Sequence, residues 1–227
     1  MIKLIIILII LIGLFILLRH LRRENFETKL NKSDKYKLLE GLQFVHSVLV
    51  SYGIWYVIAF GTLLGAVRHS DLIPWDDDVD LLIRHKDIDN FENIIWVLEQ
   101  NGYRVEKEWK LYKIYVDDKL FIDIFVIDDI DNKVARCQTD KHKCIYPDKK
   151  QQWWWDWFDF PAEYINSRKV FYFGGINLFG PAHADKLLKY WYGNDYLTTC
   201  KTPYLENHTT YIESHKIDCP LLPLPQF

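Results

Sequence analysis

Residues 59–83 read AFGTLLGAVRHSDLIPWDDDVDLLI, and this stretch decides the fold that we expect. Four carboxylates crowd into five consecutive positions near its end: Asp76, Asp77, Asp78 and Asp80. Such acids repel one another unless a cation lies among them. Asp78 and Asp80 alternate with apolar residues, as on a strand, so their side chains face one way, about 6.6–7 Å apart. Carboxylates at this spacing can share a divalent metal such as Mg²⁺.

The competing interpretation is a solvated acidic turn before an edge strand, since short motifs often arise by chance. The surrounding apolar sequence weighs against it, and so does a third acid, Asp123, in the apolar strand LFIDIFVI at 120–127. An unpaired ionised carboxylate is costly to bury, so Asp123 must pair with a cation, reach solvent at an edge or bind metal. We therefore predict a site built from Asp78, Asp80 and Asp123.

Several cations accompany these acids. Lys113, in KLYKIYVD, is either a structural counter-ion that occupies Asp123 or a residue that binds substrate phosphate. Arg68 and His69 form a basic pair directly before the acidic stretch. The sequence leaves both alternatives for Lys113 open.

A Gly-Thr turn precedes the basic pair. The aromatic and β-branched run Ile54–Phe60 predicts a buried strand, and Thr62–Arg68 can form a short helix directly after Gly61. Glycine lets a ligand approach the backbone closely. The free N–H groups at the start of a helix attract phosphate. An ordinary strand-to-helix turn would show the same pattern.

Composition and net charge limit the classes of function that this chain can have. The chain has 227 residues, 49% of them hydrophobic and 16% aromatic, enough for one ordinary domain with appendages. The formal net charge is −3. This balance offers no basic footprint for nucleic acid, so we expect no nucleic-acid partner.

The first segment resembles a membrane anchor. Residues 4–18, LIIILIILIGLFILL, contain no charged or polar side chain. The stretch approaches the roughly 17–20 residues that cross a bilayer as a helix. No small-residue cleavage site follows, which argues against a signal peptide. We predict an uncleaved anchor at 1–23 with one transmembrane helix, and a stem at 24–33.

The orientation of this span has evidence on both sides. Arg19, Arg22 and Arg23 follow it and favour a cytosolic domain under the positive-inside rule. Asn31 and Asn207 begin Asn-X-Ser/Thr tripeptides, which would accept glycans in a secretory lumen.

Two features between residues 128 and 160 have no assigned role. Cys137 and Cys144 can form a disulfide, part of a zinc site or neither, with the disulfide favoured in a lumen and free thiols in the cytosol. Four tryptophans lie between Trp153 and Trp157. They can pack on the core, line a substrate pocket or lie at a membrane interface, and packing is the first expectation.

Periodicity predicts the remaining elements. Helices are expected over about 34–52, 88–100 and 181–192, with Ser33 and Asp87 as N-caps of the first two. Strands are expected at about 79–83, 103–107, 111–116, 170–173 and 176–179. Gly174-Gly175 predicts a two-residue hairpin turn. Residues 128–160 are expected to be irregular, and 195–227 extended.

Three stretches of this chain resemble the conserved blocks of one known protein family. GTLLGAVRHSDLIPWDDDVDLLI looks like the signature of the LicD family, which includes bacterial phosphocholine transferases and the animal proteins fukutin and fukutin-related protein. FIDIFVID is similar to the family's second acidic strand. The stretch from FPAEYINSRKVFYF to YWYGNDYLTTCKTP is similar to its closing block, although Asn194 interrupts the Tyr-Gly-Asp pattern. The resemblance covers about residues 36–204.

The resemblance implies an α+β fold, with a nucleotidyltransferase-like mixed β-sheet flanked by helices, here preceded by the N-terminal transmembrane helix. It also implies metal-dependent transfer of a phospho-alcohol, phosphocholine or ribitol phosphate, from a CDP-activated donor to a glycan hydroxyl. The implied cofactor is Mg²⁺ or Mn²⁺. The implied domains are a catalytic domain at 34–204 and a C-terminal extension at 205–227.

Matching the family's motifs residue by residue implies the site. Its catalytic and metal-binding acids would be Asp78, Asp80 and Asp123, the last as a metal ligand or general base. Asp76 matches a family acid of unassigned role and is a further metal candidate. The residues matched to binding of the donor phosphates would be Gly61, Thr62 and Arg68. Lys113 joins this substrate-binding set from the sequence pattern alone, and its counter-ion alternative stays open.

Two other functions remain open from the sequence. One is a nucleotidyltransferase that attaches a nucleoside monophosphate to a small molecule or protein. The other is a non-catalytic, membrane-tethered glycan-binding protein. The resemblance and the two glycan-acceptor tripeptides favour a membrane protein facing the lumen of the Golgi or endoplasmic reticulum, with the cytosolic face as the alternative.

Overall fold

The computed structural model describes residues 30–73, 76–108, 111–136, 138–140, 143–145, 158–201 and 216–218. Its helices are α1 (Lys32–Ser51), α2 (Phe60–Arg68), α3 (Ile88–Gln100), α4 (Glu163–Asn166) and α5 (Ala184–Tyr192). Its first strands are β1 (Tyr56–Ile58), β2 (Asp78–Arg84), β3 (Arg104–Glu108), β4 (Leu111–Tyr115), β5 (Phe121–Ile130) and β6 (Lys133–Arg136). The later strands are β7 (Gln138–Asp140), β8 (Lys143–Ile145), β9 (Arg168–Phe173), β10 (Ile176–Pro181), β11 (Thr199–Lys201) and β12 (Lys216–Asp218).

A six-stranded mixed sheet forms the centre, in the order β1-β2-β5-β4-β3, with β6 paired to the far end of β5. Strands β2 and β5 run parallel, and the other pairs in this sheet are antiparallel. The structure therefore confirms the expected α+β class with a mixed sheet and flanking helices. The central pair is apolar along most of its length, which suits strands covered on both faces.

Helix α3 covers the sheet face that points away from the acids. Lys113 pairs with Asp123 across β4 and β5, so the preceding residue, Tyr112, points to the opposite face. The ring of Tyr112 lies 5.0 Å from that of Phe91 in α3, measured between centroids.

Helices α2 and α5 cover the same face as Asp123. Phe125 follows Asp123 by two residues and so shares its face. The Phe125 ring lies 5.4 Å from that of Phe60 in α2, which in turn lies 4.6 Å from that of Trp191 in α5. The acidic site thus lies between the sheet and these two helices.

Two tight turns shape the sheet and the β9-β10 hairpin. Gly174 and Gly175 have φ of 57° and 96°. Positive φ at both central residues is the pattern of a type I′ hairpin turn, so the predicted hairpin is confirmed. Asp131 and Asn132 repeat this pattern between β5 and β6, with φ of 48° and 65°.

This second turn corrects the expectation for residues 128–160. The segment is not irregular throughout, because β5 continues to Ile130 and turns back into β6. Short strands β7 and β8 follow. Asp and Asn tolerate positive φ better than most residues, so an Asp-Asn dipeptide after an apolar strand carried a turn signal.

The cap of α1 also differs from the prediction. Asn31, not Ser33, is the N-cap, and its side-chain oxygen accepts a hydrogen bond from the Asp34 backbone N–H at 2.9 Å. The helix therefore starts about two residues early, at Lys32. It ends where expected, since Gly53 follows with φ of 68°.

Other predicted boundaries shift for local reasons. The carboxylate of Asp87 does not cap α3 but accepts a hydrogen bond from the Trp55 backbone N–H at 3.3 Å. Strand β1 is shorter than Ile54–Phe60, because α2 already begins at Phe60. Pro181 closes β10 instead of opening α5, which begins at Ala184.

Several predictions fall outside the described residues: the anchor at 1–23, the side chains of Cys137 and Cys144, and the tryptophans from Trp153 to Trp157. Within the described ranges, no helix combines the length and apolar character needed to span a bilayer.

Candidate active site

The site is organised by one row of residues across three strands. Asp80 on β2 is the register partner of Asp123 on β5, and Asp123 is the partner of Lys113 on β4. Partners in register point to the same face of a sheet. One carboxylate oxygen from each of Asp78, Asp80 and Asp123 lies within 4.8 Å of the others. The three predicted acids are therefore brought together, although Asp80 and Asp123 lie 43 positions apart in the sequence.

Asp123 lies at the bottom of this cluster. The residue is 7% exposed, and its Oδ1 atom lies 2.9 Å from Lys113 Nζ. Burial raises the pKa of Asp123 to about 6, while the Lys113 ammonium acts in the opposite direction. The Lys113 ammonium also lies 3.5 Å from the centroid of the Phe121 ring, which helps to hold it in place. The counter-ion alternative for Lys113 thus has direct geometric support.

Asp80 experiences the strongest crowding. Burial raises its pKa well above the ordinary value, and the neighbouring carboxylates of Asp78, Asp123 and Asp76 raise it further. An acid in this setting is stabilised by a cation that can lie among the carboxylates.

The start of α2 fixes the position of Asp80. The Thr62 side-chain oxygen accepts a hydrogen bond from the Asp80 backbone N–H at 2.8 Å, and the Asp80 carbonyl accepts one from the Ala59 N–H at 3.0 Å. Thr62 is buried, with an exposed fraction of 1%. Thr62 thus holds β2 against the start of α2 through this hydrogen bond. Its predicted contact with donor phosphate stays a prediction.

Gly61 makes room for an acid. A Cβ atom on Gly61 would collide with the carboxylate of Asp76, which lies directly against the first turn of α2. Asp76, Asp77 and Asp78 form a second group whose oxygens lie within 4.8 Å of one another. In this structure the Asp76 carboxylate lies against Gly61, and the predicted approach of a ligand to this backbone stays a prediction.

The structure corrects the description of Arg68 and His69 as a basic pair. Arg68 donates from Nε to His69 Nε2 at 2.9 Å, so the histidine ring is the acceptor. Burial, and to a lesser extent the adjacent Arg68 charge, lower the pKa of His69 to about 4. His69 is therefore neutral at pH 7, and Arg68 alone carries charge there. Arg68 also donates to the Tyr196 carbonyl at 3.4 Å, and Asp76 and Tyr192 oppose the lowering of its pKa by burial.

Two residues near the acids were missed by sequence reasoning. Burial raises the pKa of Tyr192 well above its ordinary value, and the charges of Asp80 and Asp76 add to the effect. The sequence offered one signal for Tyr192, because it is the tyrosine of the Tyr-Gly-Asp pattern in the family's closing block, but that pattern did not place it beside the acids.

Arg136 is the second residue near the acids that sequence reasoning missed. It is 3% exposed, and its guanidinium lies 4.8 Å from the Phe125 ring centroid and 5.4 Å from that of Phe158. Burial lowers its pKa to about 10, and the negative charge of Asp123 opposes the shift. Recognition of the Asp131-Asn132 turn would have placed Arg136 on a strand beside β5.

The acids fit a hard divalent cation. Mg²⁺ binds carboxylate oxygens at about 2.0–2.1 Å, so two ligands of one ion lie at most about 4.2 Å apart. The oxygens of Asp78, Asp80 and Asp123 are already close to that separation. The buried Asp123 Oδ1 atom forms an ion pair with the Lys113 ammonium at 2.9 Å, so an ion bound at this oxygen would share it with Lys113 or displace Lys113. Oxygen donors of this kind suit Mg²⁺ or Mn²⁺ better than soft metals.

A comparison with known proteins identifies the family. The family model described as "LicD/FKTN/FKRP, nucleotidyltransferase domain" matches residues 53–183, more than half of the chain. The chain belongs to the LicD family. The match includes all five clustered carboxylates described above, and it supports a nucleotidyltransferase type of fold for this LicD domain.

Three relatives of this LicD protein show how far the similarity extends. An uncharacterized protein of Rickettsia typhi is 33% identical over 153 residues, 67% of this chain and 44% of that protein. Lipopolysaccharide cholinephosphotransferase LicD of Haemophilus influenzae is 26% identical over 136 residues, 49% of this chain and 51% of its own. Ribitol 5-phosphate transferase FKRP of Mus musculus is 41% identical over 75 residues, 31% of this chain and 15% of its own.

The chain therefore spans about half the length, or less, of the curated relatives that it matches. Among solved structures, lincomycin-bound lincosamide antibiotic adenylyltransferase LnuA has a TM-score of 0.42 and 12% identity, over 70% of this chain and 94% of that chain. The two named LicD relatives are both phosphotransferases by their names.

Proposed function

We propose that this protein is a metal-dependent transferase that moves a phospho-alcohol from a CDP-activated donor to a hydroxyl group of a glycan. The observation that carries the proposal is the register of Asp80 with Asp123 within a LicD domain, which gathers three carboxylates into one cluster. The names of the Haemophilus and mouse relatives support phosphocholine and ribitol phosphate as the candidate cargoes.

The reaction would break the bond between the donor's distal phosphorus and the oxygen that bridges it to CMP. A bond from that phosphorus to the acceptor hydroxyl oxygen would form, the hydroxyl proton would pass to a base, and CMP would leave. Asp78, Asp80 and Asp123 would hold Mg²⁺ or Mn²⁺. Such an ion, when bound, neutralises charge on the phosphate oxygens and on the departing CMP.

The chain's own groups would orient the donor around these acids. Arg68 is half-buried, and its guanidinium lies within electrostatic reach of Asp76. It would bind a donor phosphate, as the family resemblance implies. The first turn of α2, at Gly61 and Thr62, would present backbone N–H groups to the same phosphates. His69 would fix the Arg68 side chain as a neutral acceptor.

Asp123 has two possible roles. Its pKa of about 6 suits a general base that takes the hydroxyl proton near neutral pH. As a third metal ligand it would remain ionised. We favour the metal ligand because its oxygen lies within 4.8 Å of those of Asp78 and Asp80. Retention of metal affinity in Asp123→Asn, with loss of transfer, would favour the base.

The experiment is a calorimetric titration of the full chain with CDP-choline and with CDP-ribitol, in Mg²⁺ and again in EDTA. We expect binding of one donor, and only with metal. Asp80→Asn should remove metal binding and transfer while the protein stays folded, because the change relieves crowded negative charge. Asp89→Asn, which removes one exposed charge from α3, is the matched control and should behave as the native chain.

Product analysis separates the reactions. Release of CMP with a phospho-alcohol on the acceptor supports the proposal, whereas attachment of a nucleoside monophosphate shows a nucleotidyltransferase instead. A folded protein that binds neither donor nor metal would overturn the enzyme proposal and favour a glycan-binding role. Specific activity of Asp80→Asn equal to that of the native chain would show that Asp80 is structural.

The cellular setting is also a proposal. The apolar stretch at residues 4–18 supports a membrane anchor, and the tripeptides at Asn31 and Asn207 support a lumenal domain. A glycan acceptor and a nucleotide-activated donor are the partners that the family supports.

A further inference from the structure

Lys113 lies where a metal would need to approach. Its side chain is 14% exposed and that of Asp123 is 10% exposed, so the ion pair between them lies largely out of water. The pair is built into the sheet, because the two residues are register partners on neighbouring strands. The Phe121 ring supports the ammonium from one side, at 3.5 Å from its centroid.

The charges around Lys113 are strongly unequal. The two acidic groups together hold five carboxylates: Asp76, Asp77, Asp78, Asp80 and Asp123. The Lys113 ammonium interacts favourably with Asp80 as well as with Asp123. It therefore supplies a single positive charge at the place where a divalent ion would supply two.

A metal ion and the Lys113 ammonium would lie too close together to bind Asp123 independently. A magnesium ion on Asp123 would lie about 2.1 Å from its oxygen. Lys113 Nζ is 2.9 Å from Oδ1 of the same carboxylate. An ion bound at that oxygen would thus lie within about 5 Å of the ammonium, and like charges at this distance repel strongly where water is scarce.

The lysine side chain can resolve this conflict. Its ammonium is a compact charge on a flexible four-carbon stem, so it can leave the carboxylate without a change in the sheet. The nearest new anion in a working site would be a phosphate of the donor.

We propose that Lys113 is an internal cation that neutralises Asp123 before the metal arrives, competes with the metal for that carboxylate, and turns to a donor phosphate once the metal is bound. This inference rests on the proposed function and extends it. It makes Lys113 a positioning residue with two successive partners. A permanent counter-ion would instead keep its bond to Asp123 in every state.

The test measures metal affinity in the absence of nucleotide. The full chain and its Lys113→Met variant are titrated calorimetrically with Mn²⁺, and then with CMP at saturating Mn²⁺. We expect Lys113→Met to bind Mn²⁺ about five- to tenfold more tightly, because the competing cation is gone, and to bind CMP about tenfold more weakly. Unchanged or weaker Mn²⁺ binding would overturn the inference.

Lys107→Met is the matched control. Lys107 lies on the neighbouring strand β3, in register with Tyr112, and so points to the opposite face of the sheet. Its ammonium pairs with Glu92 at 2.7 Å. This variant loses one lysine charge from the same sheet and should bind Mn²⁺ and CMP as the native chain does. Equal tightening of Mn²⁺ binding in both variants would show a general charge effect and overturn the inference.

A second measurement does not depend on the folding of Lys113→Met. Acetylation of Lys113 in the native chain is followed by mass spectrometry, first in EDTA and then with Mn²⁺. We expect the rate to rise several-fold when metal frees the ammonium, and to fall again when CMP is added. An unchanged rate would show a permanent counter-ion. Absence of Mn²⁺ and CMP binding by the folded native chain would refute the proposed function itself, whereas normal binding with an unchanged Lys113→Met variant would refute only this inference.

Discussion

Asp123 illustrates how a single residue acquires its chemistry from its neighbours. An isolated aspartate is an ordinary surface acid, but here the residue is 7% exposed and lies opposite Asp80 in a parallel strand pair. Burial and nearby carboxylates favour its neutral form, and the Lys113 ammonium favours the charged form. Burial is the larger effect, so the pKa rises to about 6 from 3.8.

This shift predicts a pH dependence of stability. Because the folded state holds a proton on Asp123 that the unfolded state has already lost between pH 4 and 6, the contribution of Asp123 to stability should fall as pH rises through this window. The loss should reach at most about 3 kcal/mol above pH 7. The measurement is the free energy of unfolding in urea and EDTA from pH 4 to 7.5, for the native chain and for Asp123→Asn.

The native free energy of unfolding minus that of Asp123→Asn should decrease with pH. Asp123→Asn also loses the ion pair with Lys113. This loss shifts the difference in free energy of unfolding by a constant amount and leaves its decrease with pH in place. A difference that stays flat, or that grows with pH, would show that Asp123 keeps an ordinary or lowered pKa.

At the scale of elements, helix α2 is shaped by two glycines on one face. Gly61 and Gly65 are four residues apart, so they lie one above the other on the helix. Asp71 and Asp76, which follow the helix in sequence, pack where these glycines have no side chain. The Asp76 carboxylate lies at Gly61, and the backbone carbonyl of Asp71 lies at Gly65, where it would be 2.5 Å from an added Cβ.

The two glycines therefore predict different outcomes for alanine. Gly65→Ala should destabilise the fold by about 1–3 kcal/mol, because a backbone carbonyl must move, despite the roughly 1 kcal/mol by which alanine favours a helix. Gly61→Ala should cost less, because a carboxylate side chain can rotate away. Urea unfolding of the two variants checks this order, each serving as the control for the other. A stabilising Gly65→Ala would show that the loop does not pack against α2.

At the scale of the whole molecule, the sheet and its helices hold together acids that would otherwise repel one another. The folded state therefore carries an electrostatic cost that a divalent ion removes. An ion that binds the folded state but not the unfolded chain stabilises the fold by mass action.

Magnesium should accordingly raise the stability of the native protein. At a Mg²⁺ concentration of one hundred times the Kd, the free energy of unfolding should increase by about 2.7 kcal/mol. Thermal unfolding in Mg²⁺ and in EDTA measures this as a rise in Tm. Asp80→Asn should show a much smaller rise, while the exposed-charge control Asp89→Asn should show the full one. Equal rises in all three proteins would place the Mg²⁺ effect outside the acidic cluster.

The class of fold followed from the resemblance to the LicD family, and local patterns in the sequence singled out the acids. Strand periodicity placed Asp78 and Asp80 on one face, and the cost of burying Asp123 required it to pair with a cation, reach solvent at an edge or bind metal. These are local properties of sequence, so they could be deduced without coordinates. The hairpin glycines and the end of α1 at Gly53 were predictable for the same reason, since positive φ is a property of single residues.

The tertiary structure decided what those residues touch. Which strand lies beside β2 depends on chain topology, and only the parallel pairing with β5 shows that Asp80 and Asp123 share one row with Lys113. The neutral state of His69 likewise depends on burial and on the direction of the Arg68 side chain. Contacts between residues distant in sequence, and the loss of water around them, follow from packing, which a single sequence does not specify.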